Sequence, residues 1–373
     1  MLMLVNCSNC RTPLQLPPGA TSIRCAICQA ITQISGQPRL APQAPAQSYL
    51  QNTPSVNGYH NYYPLQPPPP SPYFHAPPGP PPPVHGTKKA VIIGIAYKNT
   101  KSELKGCIND AKCMKHLLVS KFMFPESSII MLTEEETDPT RIPTKHNIRM
   151  AMFWLVQGCQ PGDSLVFHYS GHGGQQRNYT GDELDGYDET LCPLDFEIQG
   201  SIVDNEVNAT LVRPLPRGVK LHAIIDSCHS GTVLDLPYLC RMDRNGRYTW
   251  EDHRPGNGTW KGTSGGDAIS FSGCDDDQTS ADTALLSKVA STGVMTFAFI
   301  QAIERGQGAT YGSILTAMRS TIRRTDSELG GGSTTSLLSM ILTGASAPSI
   351  GLTQEPQLSA NEQFDVYAKS FSL

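Results

Sequence analysis

VKLHAIIDSCHSG, residues 219–231, decides the fold once it is set beside DSLVFHYSGHGG, residues 163–174. Each starts as an apolar, β-branched run of strand character and then breaks into small polar residues carrying one reactive group. That group is Cys228 in the first and His172 in the second. If both are parallel strands of one sheet, the two groups leave at the carboxyl ends, where open α/β sheets place their chemistry. A thiol and an imidazole then meet although 56 positions separate them.

The rest of the pattern alternates around these two. Residues 90–96, AVIIGIA, form a continuous apolar run typical of a strand covered on both faces. Helical patterns are expected over 104–120, near 144–157 and 205–212, and over 294–304 and 313–323. Strands are expected at 129–132 and 268–273, with a last edge strand at 364–367 and a flexible tip at 325–335. This order predicts an α/β fold: a mostly parallel sheet with helices on both faces, joined by right-handed crossovers.

Composition bounds the reading. Of 373 residues, 39% are hydrophobic, low enough that part of the chain is expected not to pack. A formal charge of −4 argues against nucleic acid as a partner. The start MLMLVNC has no basic leader region, and no run reaches membrane-spanning length. A soluble cytoplasmic or nuclear protein with no membrane partner is expected. Eleven cysteines in a reducing compartment are then ligands, nucleophiles or buried thiols.

Cys7-Ser-Asn-Cys10 and Cys25-Ala-Ile-Cys28 are two CxxC knuckles with 14 residues between them, the spacing by which four thiolates hold one structural zinc. The turn-rich spacer suits a ribbon, residues 1–36, that is too small for its own core and folds on its metal. A redox CxxC pair would need a βαβ context that is missing here. The few arginines, Arg11, Arg24 and Arg39, fit protein docking or autoregulation better than DNA binding. Residues 37–87 read as a disordered linker: from 40 to 87 there is no charged residue, and 15 of 48 are proline. The remainder, 88–373, divides into a large part, 88–238, a basic linker, 239–266, and a small part, 267–373. With Arg241, Arg244, Arg247, Arg254 and Lys261, that linker reads as a solvated loop open to self-cleavage.

Among the cysteines, Cys228 alone follows a buried-strand run and opens into small residues that leave the sulfur approachable. It is the candidate nucleophile, with His172 as general base and then acid. The backbone amides of Gly173 and Cys228 are the candidate oxyanion hole. His168 and His222 read as core histidines inside their strands, and His229 diverges from its neighbour Cys228.

HYSGHGG with DSCHSG, the AVIIGIAY strand and the GCINDA helix start resemble the caspase-like domain of the metacaspases. The knuckles, with Arg11 and Gly19-Ala20, are similar to the zinc finger of plant lesion-simulating-disease proteins. Together with the linker they make the chain resemble a plant type I metacaspase. The resemblance implies a caspase-like fold and a latent, calcium-stimulated cysteine endopeptidase that cuts after Arg or Lys in programmed cell death and proteostasis. Its partners would be protein substrates with exposed Arg or Lys, and zinc-finger proteins as regulators. The resemblance puts the S1 pocket on Cys107, Asp110, Ser170 and Asp226, and calcium on Asp188, Asp204, Asn205 and Asp235.

The residues speak to part of this directly. Asp226, two positions from the sulfur, would hold a cation and repel an acidic substrate side chain. Cys107 and Asp110, three apart, share a helix face, although a first-turn acid also favours the helix dipole. The acidic run 182–189 does not fit an EF-hand loop, since the twelfth position from Asp182 is not Glu, and it also reads as a solvated loop. Asn205, where the family more often has Asp, lowers the negative charge, so a millimolar calcium requirement is expected. The competing reading is a non-proteolytic adaptor on a caspase-like scaffold. A peptidase cutting after Asn fits the paired acids poorly.

Overall fold

The computed structural model describes residues 3–6, 13–16, 22–24, 31–33, 86–183, 185–227, 231–273, 293–330 and 355–373. The chain forms two compact units, Met1–Val84 and His85–Leu373. In the first, β1 (Met3–Asn6) pairs antiparallel with β2 (Pro13–Leu16), and β3 (Ser22–Arg24) with β4 (Ile31–Gln33). Cys7, Cys10, Cys25 and Cys28 lie outside the described residues, as does most of the proline-rich stretch.

The second unit is built on an eight-stranded mixed sheet. Its strands are β5 (Lys88–Gly94), β6 (Ile129–Thr133), β7 (Ser164–Ser170), β11 (Lys220–Asp226), β12 (Tyr238–Met242), β13 (Tyr248–Asp252), β14 (Asp267–Ser272) and β15 (Gln357–Ala360), in the order β13-β12-β15-β14-β11-β7-β5-β6. From β6 to β14 every pairing is parallel, and β15, β12 and β13 add antiparallel. A smaller antiparallel sheet, β8 (Gly173–Arg177), β9 (Tyr187–Leu191) and β10 (Ile202–Val203), follows β7.

Period-two alternation along the strands splits the core into two layers. Val91, Ile93, Leu165, Phe167, Leu221 and Ala223 meet α2 (Lys145–Val156) through Ile148, Met152 and Leu155. Ala90, Ile92, Val166, Ile224 and Phe271 face the other way. They meet α1 (Cys107–Phe122), α5 (Val294–Glu304) and α6 (Tyr311–Gly330) through Met114, Leu117, Phe299 and Ile314. The remaining helical pieces are α3 (Phe196–Gln199) and α4 (Asp204–Val207), the latter continuing into a π-helical turn, Asn208–Val212. Thr144 caps α2 by accepting the Asn147 N–H at 3.3 Å. Gly94 lets β5 close on α1: a Cβ there would stand 2.5 Å from the Cys107 carbonyl oxygen.

Three expectations are corrected. The last strand is Gln357–Ala360, and it lies inside the sheet between β12 and β14; residues 364–367 lead into a turn. Segment 239–266 is not a solvated loop throughout, because it contributes to β12 and β13, with Arg241 Nε 3.0 Å from Glu251. The segment expected to be a flexible tip begins as helix, since α6 runs to Gly330; 331–335 lie outside the described residues.

Candidate active site

Strands β7 and β11 are neighbours in the sheet, with Ser170 opposite Asp226 in register. The Gly171 N–H continues the ladder to the Asp226 carbonyl at 3.3 Å. His172 therefore leaves the carboxyl end of β7 directly beside the end of β11. Cys228 and His229 follow Asp226 in the chain but lie outside the described residues.

The His172 ring is fixed from several sides. Its Nε2 lies 2.8 Å from the Ser102 carbonyl oxygen, and its ring centroid is 4.8 Å from that of Tyr97. A carbonyl only accepts, so Nε2 carries the proton and the neutral ring keeps Nδ1 as its basic nitrogen. Burial lowers the His172 pKa from its ordinary value, with the Ser102 carbonyl acting against it. The backbone is held as well: the His172 N–H donates to Tyr97 Oη at 3.0 Å, and Tyr169 Oη donates to the His172 carbonyl at 2.8 Å. Gly173 opens β8 opposite Leu191.

Three of the four residues assigned to the substrate slot, Asp110, Ser170 and Asp226, meet at one end of the sheet, while Cys107 packs in the core layer that holds Tyr97 and Tyr169. Cys107 is a fully buried thiol in the first turn of α1, and Asp110 stands one turn on with only 6% exposure. Ser170 Oγ donates to Asp110 Oδ2 at 2.8 Å. Asp226, buried to 1%, accepts the Thr296 N–H at 2.7 Å in the first turn of α5, so it also serves as an acceptor for that helix N-terminus. Burial first, and the neighbouring Asp226 second, push the Asp110 carboxyl well above its ordinary range; burial also raises Asp226, against the hydrogen bonds it accepts from the start of α5. Two acids sharing a low-dielectric site are relieved by taking up a proton or by a neighbouring cation. Gly293, at φ 115, passes against them: a Cβ there would be 3.0 Å from Asp110 Oδ1.

His168 and His222 are buried core residues, as their strand positions suggested. Their Nε2 atoms lie 3.0 Å from Thr296 Oγ1 and 2.7 Å from Tyr311 Oη. Burial pushes both down to about 3.

A second acidic cluster lies along β9, α4 and the turn after β11. Oxygens of Asp182, Glu183 and Asp188 lie within 4.8 Å of one another. Asp204 accepts the Glu189 N–H at 2.8 Å and the Asn205 N–H at 2.5 Å, and it repels Asp235, Glu189 and Glu183. Burial together with that repulsion pushes Asp204 up to about 10, and burial first pushes Glu183 up to about 8. Asp235 is 3% exposed, and its Oδ2 is buried with no hydrogen-bond partner among the described residues. Hard oxygen donors, mutual repulsion and an orphaned carboxylate oxygen fit a divalent cation such as calcium. Asn205 joins the cluster through its backbone.

Spacing alone did not reveal several residues: Ser102, Tyr97 and Tyr169 around His172, Thr296 on Asp226, and Lys261 in the acidic cluster. Lys261 was expected on a solvated loop, yet it is 4% exposed, with Nζ 2.6 Å from Glu183 and paired with Asp235. No local periodicity marks a contact that spans 78 positions.

A sheet whose adjacent, parallel strand ends present a held imidazole beside buried acids defines an α/β protein with a candidate active site at the carboxyl ends of its strands. Comparison with known proteins makes this specific. Residues 88–237 match the metacaspase, peptidase C14 domain, and residues 7–31 match the LSD1 zinc finger. Metacaspase-1 of Arabidopsis thaliana is 67% identical over 374 residues, covering 100% of this chain and 96% of the relative. Metacaspase-2 of the same plant is 59% identical over 418 residues, covering all of both. Protein GSU0716 from Geobacter sulfurreducens, a solved structure, covers 77% of this chain and 97% of its own at 22% identity and a TM-score of 0.47. The chain belongs to the metacaspases, a family of cysteine peptidases, and has the type I arrangement with an N-terminal zinc finger.

Proposed function

We propose that the chain is a calcium-stimulated endopeptidase that cleaves after Arg or Lys, with Cys228 as nucleophile and His172 as base. The Cys228 thiol gives its proton to His172 Nδ1, and the sulfur attacks the scissile carbonyl carbon. The negative charge on oxygen is met by the amides of Gly173 and Cys228. His172 then protonates the leaving amine as the C–N bond breaks, and water, activated by the same imidazole, hydrolyses the thioester. Ser102 keeps the imidazole in the tautomer that this sequence needs.

The observation that carries the specificity is the Asp110–Asp226 pair, buried together and mutually repelling. A guanidinium or ammonium entering between them relieves their repulsion, and an acidic side chain adds to it. Cys107 and Ser170 complete the slot. Cys7, Cys10, Cys25 and Cys28 hold a structural zinc that folds the finger. The cluster of Asp188, Asp204, Asn205 and Asp235 takes calcium, which supplies the positive charge its carboxylates lack. Protein substrates with exposed Arg or Lys, zinc-finger regulators, a cytoplasmic setting and a part in cell death and proteostasis follow from the family.

The test uses fluorogenic peptides ending in Arg, Asp or Asn, with calcium and with chelator, against the Cys228→Ala protein. Arg cleavage that needs calcium and vanishes in the variant is expected. Asp or Asn cleavage would overturn the specificity, full activity in chelator the calcium dependence, and no cleavage at all would favour an adaptor.

A further inference from the structure

The acidic cluster already holds a positive charge of the chain's own. Lys261 Nζ sits 2.6 Å from Glu183 Oε1 and pairs with Asp235 Oδ1, and its side chain is 3% exposed. Among the described residues, this is the one ammonium in contact with the cluster; Arg213, which also acts on Asp235, is bonded through Nε to Asn208 Oδ1 at 2.9 Å. The Lys261 backbone is pinned independently of its side chain. Asn208 is fully buried, and its Nδ2 shares two N–H groups among the carbonyls of Leu234, Asp235 and Lys261 at 3.0, 2.9 and 3.0 Å. The ammonium can therefore move by side-chain rotation alone. A place to go adjoins it: Lys261 also lines a cavity of about 770 Å³ whose wall includes Asp252, Trp260 and Glu362.

We propose that Lys261 is a tethered counter-ion that competes with calcium for the Glu183 and Asp235 carboxylates, so that the cation binds as the ammonium swings out beside Trp260. The inference rests on the calcium reading above and adds to it a residue outside the ligand set. One monovalent charge cannot balance this many buried carboxylates, and Asp235 Oδ2 has no hydrogen-bond partner among the described residues. It can, however, hold the basin together until a divalent ion arrives. The competition offers a second source of weak calcium affinity, beside the charge lost at Asn205.

The test is calorimetric titration of calcium into the full-length Cys228→Ala protein, which cannot digest itself, and into the same protein carrying Lys261→Met or Lys261→Arg. Lys261→Met is expected to tighten calcium binding by about tenfold or more, while Lys261→Arg stays close to the parent. Amine labelling supplies a readout that needs no substitution at Lys261: acetylation of its Nζ by an N-hydroxysuccinimide acetate, followed by mass spectrometry, is expected in calcium and absent in chelator. Unchanged or weaker binding in Lys261→Met, or labelling of Lys261 indifferent to calcium, overturns the competition while leaving the calcium site standing. Absence of binding to all three proteins overturns both. If Lys261→Met does not fold, as judged by circular dichroism, Lys261→Gln and the labelling experiment carry the decision.

Discussion

Ser170 Oγ donates to Asp110 Oδ2 at 2.8 Å, tying the last residue of β7 to the first turn of α1 at the place where two buried carboxyls meet. The bond satisfies one acceptor of Asp110 and supplies no positive charge to it. Asp110→Asn keeps an acceptor for Ser170 and removes the repulsion from Asp226. The expected outcome is a loss of roughly 100-fold or more in kcat/KM on Arg peptides, with a melting temperature equal to or above the parent's, read by steady-state kinetics and calorimetry.

Tyr97→Phe deletes the hydroxyl that accepts the His172 N–H and donates to the Cys192 carbonyl at 2.5 Å. Two buried backbone groups lose a partner, and the imidazole loses a restraint. About 1–3 kcal/mol of stability should go, together with a fall in kcat that leaves KM on the same peptide nearly unchanged. A change confined to KM would show that the hydroxyl does not position His172.

The depressed pKa of His172 gives a pH profile with a definite sign. The base must be neutral, and its folded pKa lies below 6.5, so the neutral form persists into mild acid. The acid inflection of kcat is expected below pH 6.5, whereas kcat/KM also requires Asp110 to ionise and should fall at higher pH than kcat does.

Stability follows the two core histidines. With folded pKa values near 3, His168 and His222 stabilise the fold fully above about pH 6.5, and that contribution is lost as pH falls towards 3. Acid melting curves should drop across this window, and His222→Phe, which cannot charge, should flatten the drop.

Gly293→Ala puts a methyl group 3.0 Å from Asp110 Oδ1, on a backbone at φ 115. A cost of about 1–3 kcal/mol is expected, along with weaker binding of Arg peptides, because the carboxylate must shift. Chemical denaturation and KM report the two effects separately.

The strands that end at the site were legible because they are buried on both faces, so Leu165, Phe167 and Ile224 read as unbroken apolar runs. The acids beside them were legible because each lies within a few positions of a strand or helix end. The hairpin of β12 and β13 was not, since one of its strands is a sheet edge and edges carry charge: Arg241, Glu251 and Asp252 disguise it as loop. Polar QLSA at 357–360 hid an interior strand that is shielded by its neighbours' side chains. Lys261 and Tyr97 left no local trace, because their partners are far away in sequence.

The hairpin has a further consequence. Its turn exposes Arg244 and Arg247, basic residues of the kind the proposed enzyme would cut after. Scission there would leave β12 on the leading piece, still hydrogen-bonded to β15 on the trailing one. The halves would stay threaded through a common sheet, so a nicked molecule would travel as one particle on a native gel and separate into two bands only once denatured.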